Sequence, residues 1–176
     1  MANKEALRDL QSRLAERLQA ARSQASNVSW LAVECGGRGL LLPLQDAGEI
    51  FAPCPIVPVA HAGDWFLGVA NLRGGLHGIV DLARFLGLER SVRAAEAARE
   101  RGQLVAFHAA LEINCALLVD RLAGLRGADQ LVAEQEVTQS RPSFVGGRYR
   151  DATGRLWQEL RLSELAQHDA FLRVVG

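Results

Sequence analysis

The groups in this chain that could serve as base, nucleophile or metal ligand are His61, His77, His108 and His168, with Cys35, Cys54 and Cys115. A hydrolase needs a nucleophile within reach of a base, and a metal site needs ligands at short, regular spacing. No H-E-x-x-H and no C-x-x-C occurs. His77 and Asp81 are four residues apart, but a strand-to-helix break between them destroys the register that would put both on one helical face. His108 lies in an apolar strand, where a histidine is ordinarily a satisfied core or surface group. Cys35 and Cys115 sit inside apolar runs and read as small core residues. Three cysteines, an odd number, argue against a disulfide framework and for a reduced cytosolic setting. A small hydrolase built around His77, Asp81 or His108 is the minor alternative.

The glycine clusters carry no phosphate chemistry. Gly36-Gly37-Arg38-Gly39 lacks the following helix that would supply a dipole and free N–H groups, and reads as a hairpin turn. Arg73-Gly74-Gly75 is single and lies in an expected hairpin, unlike the repeated RGG elements of RNA-binding tails. Lys+Arg and Asp+Glu are equal at 20 each, so there is no overall attraction to nucleic acid or anionic lipid. No apolar run approaches the roughly 18 residues of a membrane span, and the charged start from Lys4 is unlike a signal peptide. No cofactor or metal is called for, and the expected location is the cytoplasm.

The elements that must position any site follow from hydrophobic period. Residues 4–25 read as an amphipathic helix: Leu7, Leu10, Leu14, Leu18 and Ala21 form one stripe, Asn3 is a plausible N-cap and Asp9/Arg13 an i,i+4 pair. The expected division is therefore 1–27, a helical extension, and 28–176, the domain. From Trp30 the period becomes two, with Leu31, Val33 and Cys35 alternating with Ala32 and Glu34 as in a half-buried strand. Leu40 to Leu44 returns, and Pro43 puts that strand at an edge or at its end. Ala47 to Ala52 is a further strand, and Pro53, Pro55 and Pro58 enforce an extended loop. Phe66 to Leu72 and Leu76 to Val80 flank a turn at Gly74-Gly75, after which Asp81 caps a short helix ending at Gly87. Ser91 to Arg101 reads as a solvated helix. Leu104 to Ala109, Ile113 to Val119, Leu122 to Leu125, Leu131-Val132, Phe144 to Gly147 and Arg155 to Leu162 are strand candidates, and Ser163 opens a C-terminal helix. Short strands and glycine turns in both halves predict a mainly β fold of two small barrels.

The order of these residues resembles the CheW-like domain family. The resemblance is carried by Leu41-Leu42-Pro43-Leu44, Glu49-Ile50, Trp65, Gly68-Val69-Ala70-Asn71-Leu72-Arg73-Gly74, Ile79-Val80-Asp81-Leu82 and Leu86-Gly87. Leu117-Leu118-Val119-Asp120 and Phe144-Val145-Gly146-Gly147 extend it, so that it covers roughly Trp30 to Ala166. Val69-Ala70-Asn71, the N-terminal extension and Leu165-Ala166-Gln167-His168 with Phe171-Leu172 look like the PilI branch, the adaptors of type IV pilus twitching systems. Three features depart from the pattern: Ala47 in place of a larger β-branched residue, His77-Gly78 after the arginine turn, and a long connector over residues 88–102.

The resemblance implies two interleaved, five-stranded SH3-like barrels and no catalysis. It implies an adaptor linking the regulatory domain of a CheA-type histidine kinase to the cytoplasmic tip of a methyl-accepting chemoreceptor, with receptor helices in an apolar groove between lobes. Carried over residue by residue, Glu49, Ile50, Gly68, Asn71, Leu72 and Arg73 are the partner-binding candidates. Arg73 is equally readable as a brace between lobes. Flagellar-type coupling and a generic SH3-like interaction module are the alternative functions.

Overall fold

The computed structural model describes residues 28–135 and 140–175. The expected helix at 4–25, its cap and its ion pair lie outside them. Eleven strands form two sheets among the described residues. β1 (Ser29–Cys35), β2 (Arg38–Pro43), β8 (Arg121–Gly127), β9 (Leu131–Ala133), β10 (Val145–Asp151) and β11 (Leu156–Leu160) make one, in the order β8-β1-β2-β11-β10-β9. β3 (Ala47–Phe51), β4 (Phe66–Leu72), β5 (Gly75–Asp81), β6 (Gln103–Phe107) and β7 (Cys115–Val119) make the other, in the order β3-β6-β7-β5-β4. Four short helices complete it: α1 (Leu82–Phe85), α2 (Val92–Arg101), α3 (Leu162–Leu165) and α4 (Asp169–Leu172).

The two lobes do not follow the two halves of the sequence. The central strands β3 to β7 build one lobe, and both ends of the chain meet in the other, where β11 runs parallel to β2. The terminal lobe has six strands, because short β9 adds to β10 at its edge. Its two edge strands, β8 and β9, are joined by only the single turn Ala128–Gln130, which curls the sheet back on itself. Pro43 is the last residue of β2, an interior strand, so the proline ends the strand and does not mark an edge.

The strands that read as half-buried are buried on both faces. In β1, Leu31, Val33 and Cys35 point into a core shared by the lobes, while Trp30 and Ala32 point into the terminal lobe's own interior with Leu41 and Trp157. In β7, Cys115, Leu117 and Val119 face the shared core, and Ala116 and Leu118 face the central lobe's interior. Three apolar layers thus stack from two sheets, each rolled around its own layer. Phe171 on α4 plugs one side of the shared layer, within ring contact of Trp65, Phe85 and Phe107. The C-terminal helix is broken in two, beginning at Leu162 and resuming at Asp169; Ser163 N–H donates to Asp46 from inside α3 rather than capping it. The glycine missing between β6 and β7 is replaced by Glu112, which takes a positive φ of 54° after a 3₁₀ turn capped by His108 Nδ1.

The lobes are pinned together by a buried charge cluster. β5 and β7 lie parallel, and Asp81 and Asp120 occupy the ends of the two strands. Arg90, from the connector after α1, bonds both carboxylates. Its side chain is 5% exposed and that of Asp81 0%. Asp120 also accepts the Gly36 N–H of the β1–β2 turn at 2.8 Å, and its own N–H donates to Glu34 O at 2.9 Å. One guanidinium therefore joins the central lobe to the first hairpin of the terminal lobe. Removing one member of a buried ionic cluster leaves the others charged and dry. Arg90→Ala is expected to lose about 3–5 kcal/mol in urea unfolding; a loss below about 1 kcal/mol would show that water or a neighbour replaces the arginine.

Candidate functional site

The β4–β5 hairpin is built by local rules. Asn71 Oδ1 accepts the Gly74 N–H at 2.8 Å, and Arg73 and Gly74 both have positive φ, 49° and 81°. Arg73-Gly74 is thus the two-residue turn, and Gly75 already belongs to β5. An arginine at positive φ is uncommon, and the geometry lifts its side chain clear of the sheet. Gly68, at φ 135°, lets the proline loop lie against β4: Val57 pairs with Val69 on that strand's outer edge, and a Cβ at Gly68 would collide with the Val57 carbonyl. Leu72 is 4% exposed and packs in the central lobe's interior, so its role is to seat the hairpin and its side chain is withheld from any partner.

Arg73 pairs with Glu49 of β3. β3 and β4 are the two edges of the five-stranded sheet, so this pair spans the gap that keeps the central lobe from closing by hydrogen bonds. The brace is therefore within one lobe and not between lobes. Its side chains are 77% and 42% exposed, which leaves both heads accessible to a partner and makes the pair itself worth little in stability. Ile50 is 38% exposed beside Glu49, and Leu76, opposite Asn71, is 63% exposed. The structure brings Glu49 and Arg73 together, with exposed Asn71 on the same hairpin as Arg73 and Ile50 next to Glu49 on β3. Leu76 joins them; an apolar residue flanking a turn was the signal for it. Of the departures from the family pattern, Gly78 has a steric reason, because the Phe66 ring fills the space a Cβ would need. His77 Nδ1 lies 2.9 Å from Gly75 O.

A second surface feature is a groove of about 410 Å³ beside the β1–β2 turn of the terminal lobe. Leu40, Val145, Leu156 and Leu160 of the terminal lobe form its floor with Leu86 and Leu88 from the connector of the central lobe. Arg38, Arg148 and Arg155 stand around it. Arg155 is neutralised by Glu34 at 2.5 Å, and hydrogen bonds from Arg121 and then Arg155 hold that carboxyl below its usual range. The groove is thus apolar below and cationic at the rim, and it lies where the two lobes meet.

The chemistry-bearing groups are dispersed. Asp81 is held by Arg90, His108 caps a turn, and the His168 ring stands edge-on to Phe144 with centroids 4.8 Å apart. Among the described residues no three of His, Cys, Asp and Glu cluster as metal ligands would. Cys35 and Cys115 are buried, and burial pushes both thiols up to about 12, which suppresses the nucleophilic thiolate. Cys54 is half-buried. Iodoacetamide near pH 8 is expected to add once to the folded protein, at Cys54, and three times in denaturant; modification of native Cys35 or Cys115 would show that the core opens.

A family model for the CheW-like domain matches residues 29–170. Protein PilI of Pseudomonas aeruginosa is 30% identical over 168 residues, which cover 92% of this chain and 88% of that protein. The crystal structure of the scaffolding protein TtCheW from Thermoanaerobacter tengcongensis superposes with a TM-score of 0.62 over 76% of this chain and 88% of that one. Its 15% identity makes it a likeness of fold. Fold, motif order and relatives agree, and the chain belongs to the CheW-like domain family.

Proposed function

We propose that this protein is a non-enzymatic cytoplasmic adaptor that couples a methyl-accepting chemoreceptor to a CheA-type histidine kinase and so controls type IV pilus twitching. The observation that carries the reading is the exposed Arg73–Glu49 pair on the hairpin, flanked by Ile50 and Leu76. A planar guanidinium beside exposed aliphatics is a common anchor of protein interfaces, because it can exchange its internal carboxylate for a partner's. The relationship to PilI over nearly the whole chain favours the pilus pathway over the flagellar one. Among the described residues no helix is long and apolar enough to cross a membrane.

In this reading Glu49, Ile50, Asn71 and Arg73 contact a partner directly, while Gly68 and Leu72 hold the hairpin in shape. The receptor's helical tip would lie in the inter-lobe groove, its apolar face on Leu156, Leu86 and Leu88 and its carboxylates toward Arg38 and Arg148. The adaptor then acts by holding the kinase where receptor conformation biases its activity. Residues 1–27 would be an extension appended to this domain.

Arg73→Ala is expected to change stability by less than about 1 kcal/mol while reducing capture of kinase or receptor fragments at least about tenfold in pull-downs. Unchanged recovery of both fragments, with unchanged circular dichroism, would overturn the assignment. Leu156→Asp separates the two surfaces: receptor recovery is expected to fall and kinase recovery to hold.

A further inference from the structure

The helix α2 belongs to neither surface. It lies inside the long connector, and Ala98 is its only buried residue. A purely solvated helix carries polar residues on its exposed faces. α2 instead begins with Val92, a β-branched residue with little preference for helix, and leaves it 77% exposed. Val92 therefore serves neither the core nor the helix.

Val92, Ala95, Glu96 and Arg99 fall at helical positions i, i+3, i+4 and i+7, which share one face. Arg84 of α1 and Leu88 stand across from that face, and the cleft between them holds about 260 Å³. Leu88 also lines the inter-lobe groove, so cleft and groove adjoin. Both sides of the cleft are fixed before anything binds. The Leu88 N–H donates to Ala83 O at 2.8 Å, and Leu88 lies so close over Gly36 that a Cβ there would come within 2.8 Å of its own. Ser91 Oγ accepts the Ala94 N–H at 3.2 Å, and Arg90 just before it is bonded to Asp81 and Asp120. A surface held in this way loses little freedom on binding.

Charge along the combined surface has one sign. Asp81 and Asp120 neutralise Arg90, and Glu34 neutralises Arg155. Among the described residues Arg38, Arg148 and Arg99 have no carboxylate partner, and Arg84 approaches one only at 3.8 Å, on Asp81. Glu96 is the one carboxylate among the described residues that line either cavity. Exposed aliphatic groups flanked by guanidinium groups fit an amphipathic helix with acidic flanks.

We propose that the cleft between α1 and α2 lengthens the inter-lobe groove and seats a further turn of the same partner, an acidic amphipathic helix of the receptor tip. An apolar side chain of that helix rests on Leu88 and Val92, and a carboxylate beside it pairs with Arg99 or Arg84. The proposal rests on the reading that puts the receptor in the groove. It gives α2, an insertion relative to the family pattern, a role in recognition.

Titration of a receptor cytoplasmic fragment against the full chain tests it. Val92→Asp puts an acidic group at the first helical position, where the helix dipole favours it, so circular dichroism is expected to be unchanged. Facing an acidic partner, the same variant is expected to weaken receptor binding at least about tenfold. Arg99→Glu is expected to weaken it similarly and to flatten its dependence on salt. Kinase-fragment binding is expected to hold in both. Receptor affinity within about twofold of the parent for both variants, while Leu156→Asp lowers it, would overturn the cleft and leave the groove reading in place. Unchanged affinity for all three variants would overturn both. Loss of kinase binding with receptor binding intact would overturn the choice of occupant.

Discussion

Arg90, almost wholly buried, holds the fully buried Asp81 and the partly exposed Asp120. Burying Arg90 or Asp81 alone would be costly, and their pairing, with the Gly36 N–H on Asp120, offsets most of that cost, although Asp81 Oδ2 is left without a hydrogen bond. The cluster couples three things that sequence distance keeps apart: the connector after α1, the ends of β5 and β7, and the turn of the first hairpin. Most of the long connector over residues 88–102 is α2 itself, and Arg90 stands just before that helix. Everything that depends on the relative placement of the lobes, the groove included, depends on this clamp.

The second constraint is that the interior strands β1, β2 and β7 are buried on both faces. A chain of this length normally covers one face of a sheet with helices, and here the helices are short and few. Rolling each sheet around its own apolar layer, and then packing the rolled sheets on a shared layer, buries nearly every residue of β1, β2 and β7. The cost is open ends. The shared layer is plugged on one side by Phe171 and borders a groove at Leu86 and Leu88. A fold made this way offers docking edges without needing any catalytic cleft.

The hairpin shows how a surface site is built from buried causes. Leu72 fixes the end of β4, Gly68 admits the proline loop against its edge, and Asn71 closes the turn. Only then does Arg73 stand free enough to meet Glu49 or a partner's carboxylate. Two of the six residues singled out from the sequence, Gly68 and Leu72, thus lie beneath the surface, because a motif records every residue a hairpin needs and not only its exposed ones.

Much was legible in the sequence by itself. The short strands at β1 to β7, the glycine turns and the Asp81 cap follow from local rules of period, φ and capping, which act over a few residues. What only the tertiary structure decided involves groups far apart in the chain. Ala32 read as the outer side of a half-buried strand, yet it packs with Trp30, Leu41 and Trp157. Ile79-Val80-Asp81 and Leu118-Val119-Asp120 both end an apolar run on an aspartate, a visible hint, yet nothing local says that Arg90 lies between them. Arg73 could have braced the lobes; it braces one sheet, because β3 and β4 are that sheet's edges. Burial and charge pairing are properties of neighbours in space, and strand order across two interleaved sheets is set by the summed fit of all the layers rather than by any single stretch of residues.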